Sequence, residues 1–249
     1  MIGNIILLNI DLGTENMNLL IENIPEWHEI NARLVSVYEN NDKFINISSI
    51  NSRVIYEPRY YIRKIPGSIK DCYIRSSVYQ MLLKAVALLP EGYGLKIFDA
   101  WRPYEVQKFL FYEQVAVLCK KDGLCIEQAK VHAKQFVSYP SIDPYKPFVH
   151  STGGAVDLTI IDENNIELDM GTDFDDFSKM AATDSFENSS NEKVKNNRRL
   201  LYSVMIKAGF SNYPSEWWHY DFGDSFWAAE NNLKSSLFGG VYKMSGDYL

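Results

Sequence analysis

The order of elements along this chain predicts an α+β fold. Short β-branched, apolar runs alternate with amphipathic runs, but without the regular strand–helix rhythm of a doubly wound sheet. The composition, 46% hydrophobic and 23% charged over 249 residues, is that of a globular protein with a substantial core. No internal repeat and no linker interrupts the chain, so residues 1–249 are read as a single domain.

The amino terminus, Met1 to Asp11, carries an apolar patch without a basic flank or a small-residue cleavage site, and reads as a strand or docking segment. The first 60 residues are otherwise irregular, with a polar turn at Glu39 to Lys43. Arg75 to Leu89 is a helix: Val78, Met81, Leu82, Ala85 and Leu89 recur at helical spacing, and Pro90 and Gly92 stop it. Leu95 to Trp101 is a short strand. Pro103 suits the first turn of a second helix running to about Cys119 and ending near Gly123. A third helix follows over Ile126 to Val137. Pro140, Pro144 and Pro147 then impose an extended approach to His150.

Ala155 to Ile161 reads as a buried strand. Asp162 to Asn165 is a turn, and Ile166 to Met170 is the expected hairpin partner. Thr183 to Asn197 is polar and expected to be a mobile loop. A helix from about Glu192 or Val194 to Ala208 is capped by Gly209. Glu216 to Phe222 reads as a strand.

Charge and cysteine content narrow the function classes. The net charge of -7 and the two short basic pairs, Lys120-Lys121 and Arg198-Arg199, give no footprint for nucleic acid. No apolar run approaches the roughly 18 residues of a membrane span. Cys72, Cys119 and Cys125 form no disulfide pattern. Cys119 and Cys125 could pair across a turn, but reduced thiols fit better. With no recognisable signal, a cytoplasmic location is expected.

Two segments carry the chemistry: His150-Ser-Thr-Gly-Gly-Ala-Val-Asp157 and Glu216-Trp-Trp-His219. Two imidazoles and one carboxylate suffice to hold zinc and leave its fourth position to water, while the second carboxylate is free to act as a base. Gly153-Gly154 permits a sharp turn beside His150. Asp157 stands in an otherwise apolar run, where an ionised carboxylate is costly unless it is paired or ligates a metal. Capping a turn or pairing with an arginine would serve equally at that position. Glu216 and His219 are three residues apart, so a bend must bring them to one side. A hydrophobic wall of tryptophans would raise the carboxylate's pKa and prepare Glu216 for proton transfer; an aromatic core strand with an exposed Glu is the alternative reading. The pattern is not the helical His-Glu-x-x-His of zincin proteases. Two His and a carboxylate also suit Fe(II), although such triads usually open with His-x-Asp/Glu. Arg102, at the end of a strand, is placed to bind a carboxylate or an oxyanion, or to pair with Asp99 or Glu105. His28 and His132 lack such surroundings and read as structural or surface residues.

Together these segments resemble the D-alanyl-D-alanine dipeptidases, zinc peptidases of the kind that support vancomycin resistance. Gly94-Leu-Lys-Ile-Phe-Asp-Ala-Trp-Arg-Pro103, Met170-Gly-Thr-Asp-Phe-Asp175 and Asn197-Arg-Arg-Leu-Leu201 carry the resemblance further. It implies a Hedgehog/D-Ala-D-Ala peptidase-like domain with a central, mainly antiparallel sheet flanked by helices. The implied divisions are a divergent part over 1–74, a catalytic core over 75–222 and an extension over 223–249. It also implies one Zn2+ per chain on His150, Asp157 and His219, with Glu216 as general base and acid. Arg102 would stabilise the tetrahedral intermediate and Asp175 would hold the free ammonium of a small dipeptide. The chain departs from the family at Phe148, where serine is usual, and at Val35-Ser-Val37, where Tyr-Ala-Thr is usual. A different dipeptide pocket is therefore expected. A D,D-carboxypeptidase of the same family and a catalytically silent metal-binding module are the competing readings.

Overall fold

The computed structural model describes Ile21, Ala32 and residues 34–49 and 51–245. The amino-terminal apolar patch and His28 lie outside the described residues. Five strands form the main sheet: β2 (Val54–Tyr56), β4 (Gly94–Asp99), β5 (Ala155–Ile161), β6 (Ser211–Asn212) and β7 (His219–Asp221), in the spatial order β2-β4-β5-β7-β6. The β2–β4 pair is parallel and the other three pairs are antiparallel. The sheet is thus mainly antiparallel, as expected. It also takes in β2, which precedes Arg75. Two further strands, β1 (Phe44–Asn46) and β3 (Tyr73–Arg75), pair antiparallel beside it.

Every residue of β4 and β5 is buried. That explains why both read as apolar runs rather than as alternating strands. Helices α2 (Ser76–Leu88) and α5 (Glu192–Ala208) bring Val78, Leu82, Ala85, Leu201, Val204 and Met205 into one core with Leu95, Ile97, Leu158 and Ile160 of the sheet. Helices α3 (Tyr104–Asp122) and α4 (Ile126–Ala133) share a second core with Tyr60 and Ile65, which follow β2 on and after the single-turn helix α1 (Arg59–Ile62). A last short helix, α6, spans Ser225–Glu230.

Several boundaries differ from expectation for local reasons. Pro103 caps α3 rather than opening it, and Gly123 ends that helix at φ 66°. Helix α4 stops at Ala133 and continues to Val137 only as a turn. The expected hairpin partner at Ile166 to Met170 is reduced to a bridge between Ile161 and Glu167. Two backbone bonds remain, Asp162 N–H to the Ile166 carbonyl and Leu168 N–H to the Ile160 carbonyl, while the Asp162 carboxylate takes the N–H groups of Asn164 and Ile166 at the turn. The polar stretch from Thr183, expected to be mobile, is tied down. Buried Arg198 donates to the carbonyls of Met170, Met180 and Ala182 and to the Ser185 hydroxyl. Arg199 pairs with Glu187, so both arginines of that basic pair are used internally. The strand expected over Glu216 to Phe222 begins only at His219. Glu216 itself closes a turn, its N–H donating to the Tyr213 carbonyl at 3.0 Å. All three cysteines are free thiols.

Candidate metal centre and active site

Strand register builds the centre. Asp157 pairs directly with His219 across β5 and β7, and with Asp99 across β4 and β5. Three polar residues thus form one row across three adjacent strands. His150 reaches the same place from a 3-10 turn, Val149–Thr152, that ends at Gly153 with φ 73° just before β5. No side chain fits at Gly153: a Cβ there would lie 2.2 Å from the Phe44 ring. This close approach, as well as the positive φ, explains the glycine.

The three expected ligands converge and are buried. His219 Nδ1 lies 2.9 Å from Asp157 Oδ1, and His150 Nε2 lies 3.4 Å from Asp157 Oδ2. One donor atom from each residue falls within 4.8 Å of the others. The rings stand nearly perpendicular, with centroids 5.0 Å apart. The remaining ring nitrogens are tied elsewhere: His150 Nδ1 contacts the Ala100 carbonyl at 2.9 Å, and His219 Nε2 contacts Asp221 Oδ1 at 2.9 Å. Each imidazole therefore turns one nitrogen toward Asp157 and anchors the other. That is the donor set and outer support a divalent metal of borderline softness requires. Burial alone would raise the Asp157 pKa. His150 and His219 overcome it, and the carboxyl is held well below its usual range. Burial likewise opposes charge on His219, but Asp221 and Asp157 raise its pKa well above the ordinary value.

Glu216 stands beside this centre, its Oε2 3.9 Å from His219 Nδ1. The turn before β7 supplies the bend its spacing demanded. Burial pushes its pKa up to about 8, with Asp157 and Asp175 adding to the rise and His219 and Arg102 opposing it. A carboxyl near neutrality on that scale can both accept and return a proton.

Arg102 is buried rather than a surface ion-pair partner. Its Nε donates to Asp99 at 2.7 Å, one terminal nitrogen donates to Gln107, and the other lies 3.3 Å from Asp157. Its backbone N–H donates to the His150 carbonyl, which fastens the start of α3 to the histidine turn. Burial disfavours its charge, yet Tyr60, Asp99 and Asp157 outweigh that cost and raise its pKa.

Asp175 completes the group. Its backbone sits in the left-handed region at φ 64°, which aspartate tolerates better than most residues. The carboxylate accepts from the Tyr60 hydroxyl at 3.2 Å and from Arg63 at 3.3 Å. Burial raises its pKa from 3.8 to about 7, and nearby Asp157 adds to the rise against Arg102, Arg63 and Tyr60.

All six residues singled out in the sequence, His150, Asp157, His219, Glu216, Arg102 and Asp175, line a single cavity of about 640 Å³. Phe148 also lines it, packed against Tyr242. His132 is exposed on α4, away from this cavity. Tyr60 and Asp221 were missed, and Asp99 was named only as a possible partner of Arg102, which it is. Asp221 lies two residues beyond His219 on a strand, and so on the same face, which was a usable signal. Tyr60 had none, because its helix is a single turn without periodicity.

The family profile of the D-Ala-D-Ala dipeptidases matches residues 64–234, a stretch that contains all six residues. A D-alanyl-D-alanine dipeptidase of Synechocystis sp. is 30% identical over 181 residues, covering 65% of this chain and 73% of the relative. One from Enterococcus faecium is 33% identical over 172 residues, covering 65% and 75% respectively. Among solved structures, the vancomycin-resistance D,D-pentapeptidase VanY in complex with Zn(II) aligns at a TM-score of 0.43 and 21% identity, over 66% of this chain and 82% of that one. On the family match, this chain belongs to the D-Ala-D-Ala dipeptidase family and is a peptidase.

Proposed function

We propose that the protein is a zinc-dependent dipeptidase acting on D-alanyl-D-alanine or a closely related dipeptide. One observation carries this reading: three metal-donor side chains, a carboxyl with raised pKa, a buried arginine and a second carboxylate all face one cavity. His150 through Nε2, Asp157, and His219 through Nδ1 would hold one Zn2+. When bound, zinc would supply a Lewis acid for the peptide carbonyl and lower the pKa of a water toward ~7.

The chain's own groups do the rest. Glu216 takes a proton from the attacking water as its oxygen bonds to the carbonyl carbon. Arg102, held charged by Asp99, donates to the carbonyl oxygen as it gains negative charge. Glu216 then passes its proton to the amide nitrogen as the C–N bond breaks, releasing two amino acids. Asp175 binds the free ammonium of the substrate, and the Tyr60 hydroxyl holds Asp175 toward the cavity. A single domain spanning 1–249 is part of this proposal. It is supported by Tyr60 ahead of the core and by Val241 beyond it, whose N–H donates to the Ser151 carbonyl. A cytoplasmic setting belongs to it too, supported by the three free thiols. Among the described residues no helix is long and apolar enough to cross a membrane.

Asp175 favours the dipeptidase over a D,D-carboxypeptidase, because a longer peptide offers no ammonium at that distance from its scissile bond. Glu216 and Arg102 speak against a silent metal module or an Fe(II) oxygenase, since metal binding requires neither. The test is D-alanine release from D-Ala-D-Ala, with and without a chelator, beside N-acetyl-D-Ala-D-Ala and L,D and D,L dipeptides. Chelator-sensitive release from the free dipeptide alone is expected. Equal cleavage of the acetylated substrate would favour the carboxypeptidase.

A further inference from the structure

His219 is gripped at both ring nitrogens, and its Nδ1 side faces Asp157. On the other side its Nε2 lies 2.9 Å from Asp221 Oδ1. Asp221 is 1% exposed. Among the described residues no lysine or arginine pairs with it, and His219 is its ion-pair partner. A buried carboxylate carries a desolvation cost that a partner must offset. Here that partner is the histidine ring.

The fold gives the carboxylate a fixed seat. Asp221 ends β7 and is flanked across the sheet by Ala155 on β5 and Ser211 on β6, both small. Asp224, fully buried, anchors the following turn by accepting the N–H groups of Phe226 and Trp227 at the start of α6. Burial and the adjoining Asp221 raise the Asp224 pKa well above the ordinary carboxylate value.

We infer that Asp221 is a positioning residue for the metal centre, holding the His219 ring with Nε2 protonated and Nδ1 turned toward Asp157 and His150. This rests on the reading of His150, Asp157 and His219 as metal ligands. A neutral imidazole can ligate through Nδ1 only if its proton sits on Nε2; carboxylates lie 2.9 Å from both nitrogens, so with Nδ1 and Asp157 given to a metal, Asp221 is the buried acceptor for the Nε2 proton. The carboxylate also makes the ring a more basic ligand. Asp221 touches neither substrate nor metal in this account and acts through His219.

The test compares the full-length protein with Asp221→Asn, which keeps size and loses charge, and Asp221→Ala, which loses both. Zn2+ dissociation constants are measured by competition with a chromophoric chelator, and the His219 tautomer by 15N NMR of the zinc-loaded protein. Thermal melting of the metal-free forms monitors folding. The expected result is Zn2+ binding weakened roughly 10–100-fold in both variants, with an Nε2–H tautomer in the wild type. Asp221→Asn keeps the packing if the alanine form fails to fold. Wild-type affinity in a folded Asp221→Asn would overturn the inference. An Nδ1–H tautomer in the zinc-loaded wild type, or a wild type that binds no zinc, would instead overturn the ligand assignment beneath it.

Discussion

His219 and Asp157 face each other across the pairing of β5 with β7, with Nδ1 and Oδ1 2.9 Å apart. The two residues are 62 positions apart in sequence and meet because the sheet register sets them opposite. Slipping that register by one residue would turn one of them to the other face. The candidate metal centre is therefore a property of the sheet, completed by a turn that delivers His150.

Removing both register partners should abolish the metal centre. The His219→Ala, Asp157→Ala double variant is expected to retain no zinc after dialysis, where the wild type keeps one equivalent. Zinc should also stabilise the wild type, by about 2.7 kcal/mol at 100 times the dissociation constant, and leave the double variant unmoved. Metal analysis and chemical denaturation with and without zinc check both.

Asp175 must be ionised to hold an ammonium, and its pKa is raised by burial to about 7. As pH falls from 8 to 6, kcat/KM for the dipeptide is expected to drop more steeply than about tenfold per unit below 7, because Glu216, whose pKa is raised to about 8, must be ionised as well, while kcat follows Glu216 alone. Binding the ammonium favours the ionised form, so Asp175 titrates lower in the complex and spares kcat. The stability sign is the reverse. The folded pKa lies above the unfolded value, so Asp175's contribution is complete below about 4 and declines as pH rises toward about 7. Asp175→Asn should lose the Asp175 part of the pH dependence of kcat/KM, leaving that of Glu216, and be more stable than wild type at pH 8.

Tyr60→Phe removes the hydroxyl that donates to Asp175 at 3.2 Å and lies 3.4 Å from Arg102. Hydrogen bonds to charged groups are worth about 1.5–3 kcal/mol, so kcat/KM should fall roughly 10–100-fold, chiefly through KM. Steady-state kinetics separates this from a packing defect, which would lower Tm without favouring KM.

Gly153→Ala places a methyl group 2.2 Å from the Phe44 ring at a φ of 73°. The conformation alone costs about 1–2 kcal/mol, and the clash adds to it while displacing the turn that carries His150. A double-mutant cycle with Phe44→Ala should show a coupling of about 1 kcal/mol or more. Strict additivity in urea denaturation would remove the clash from the explanation.

Much of this was legible in the sequence, for identifiable reasons. Val78, Leu82 and Ala85 mark α2 because one helix face meets the sheet. The unbroken apolar run of β5 marks a strand buried on both faces. His150, Asp157, Glu216 and His219 stood out because polar groups in apolar or glycine-rich surroundings need a reason. What escaped was set by contacts distant in sequence. The strand expected from Glu216 shortened because Tyr213 and Glu216 close a turn, and the expected partner of β5 shrank to a bridge where Asp162 captured two backbone N–H groups. Tyr60 reaches Asp175 across 115 residues, and no local pattern announces that.

The central claim is that a metal held by His150, Asp157 and His219 works with Glu216 to hydrolyse a free dipeptide. Its most direct test is D-alanine release from D-Ala-D-Ala by the zinc-loaded wild type and by Glu216→Gln, with zinc measured in the same samples. One zinc is expected in each, with turnover in the wild type alone. A Glu216→Gln protein that keeps its zinc and turns over at near the wild-type rate would contradict that claim.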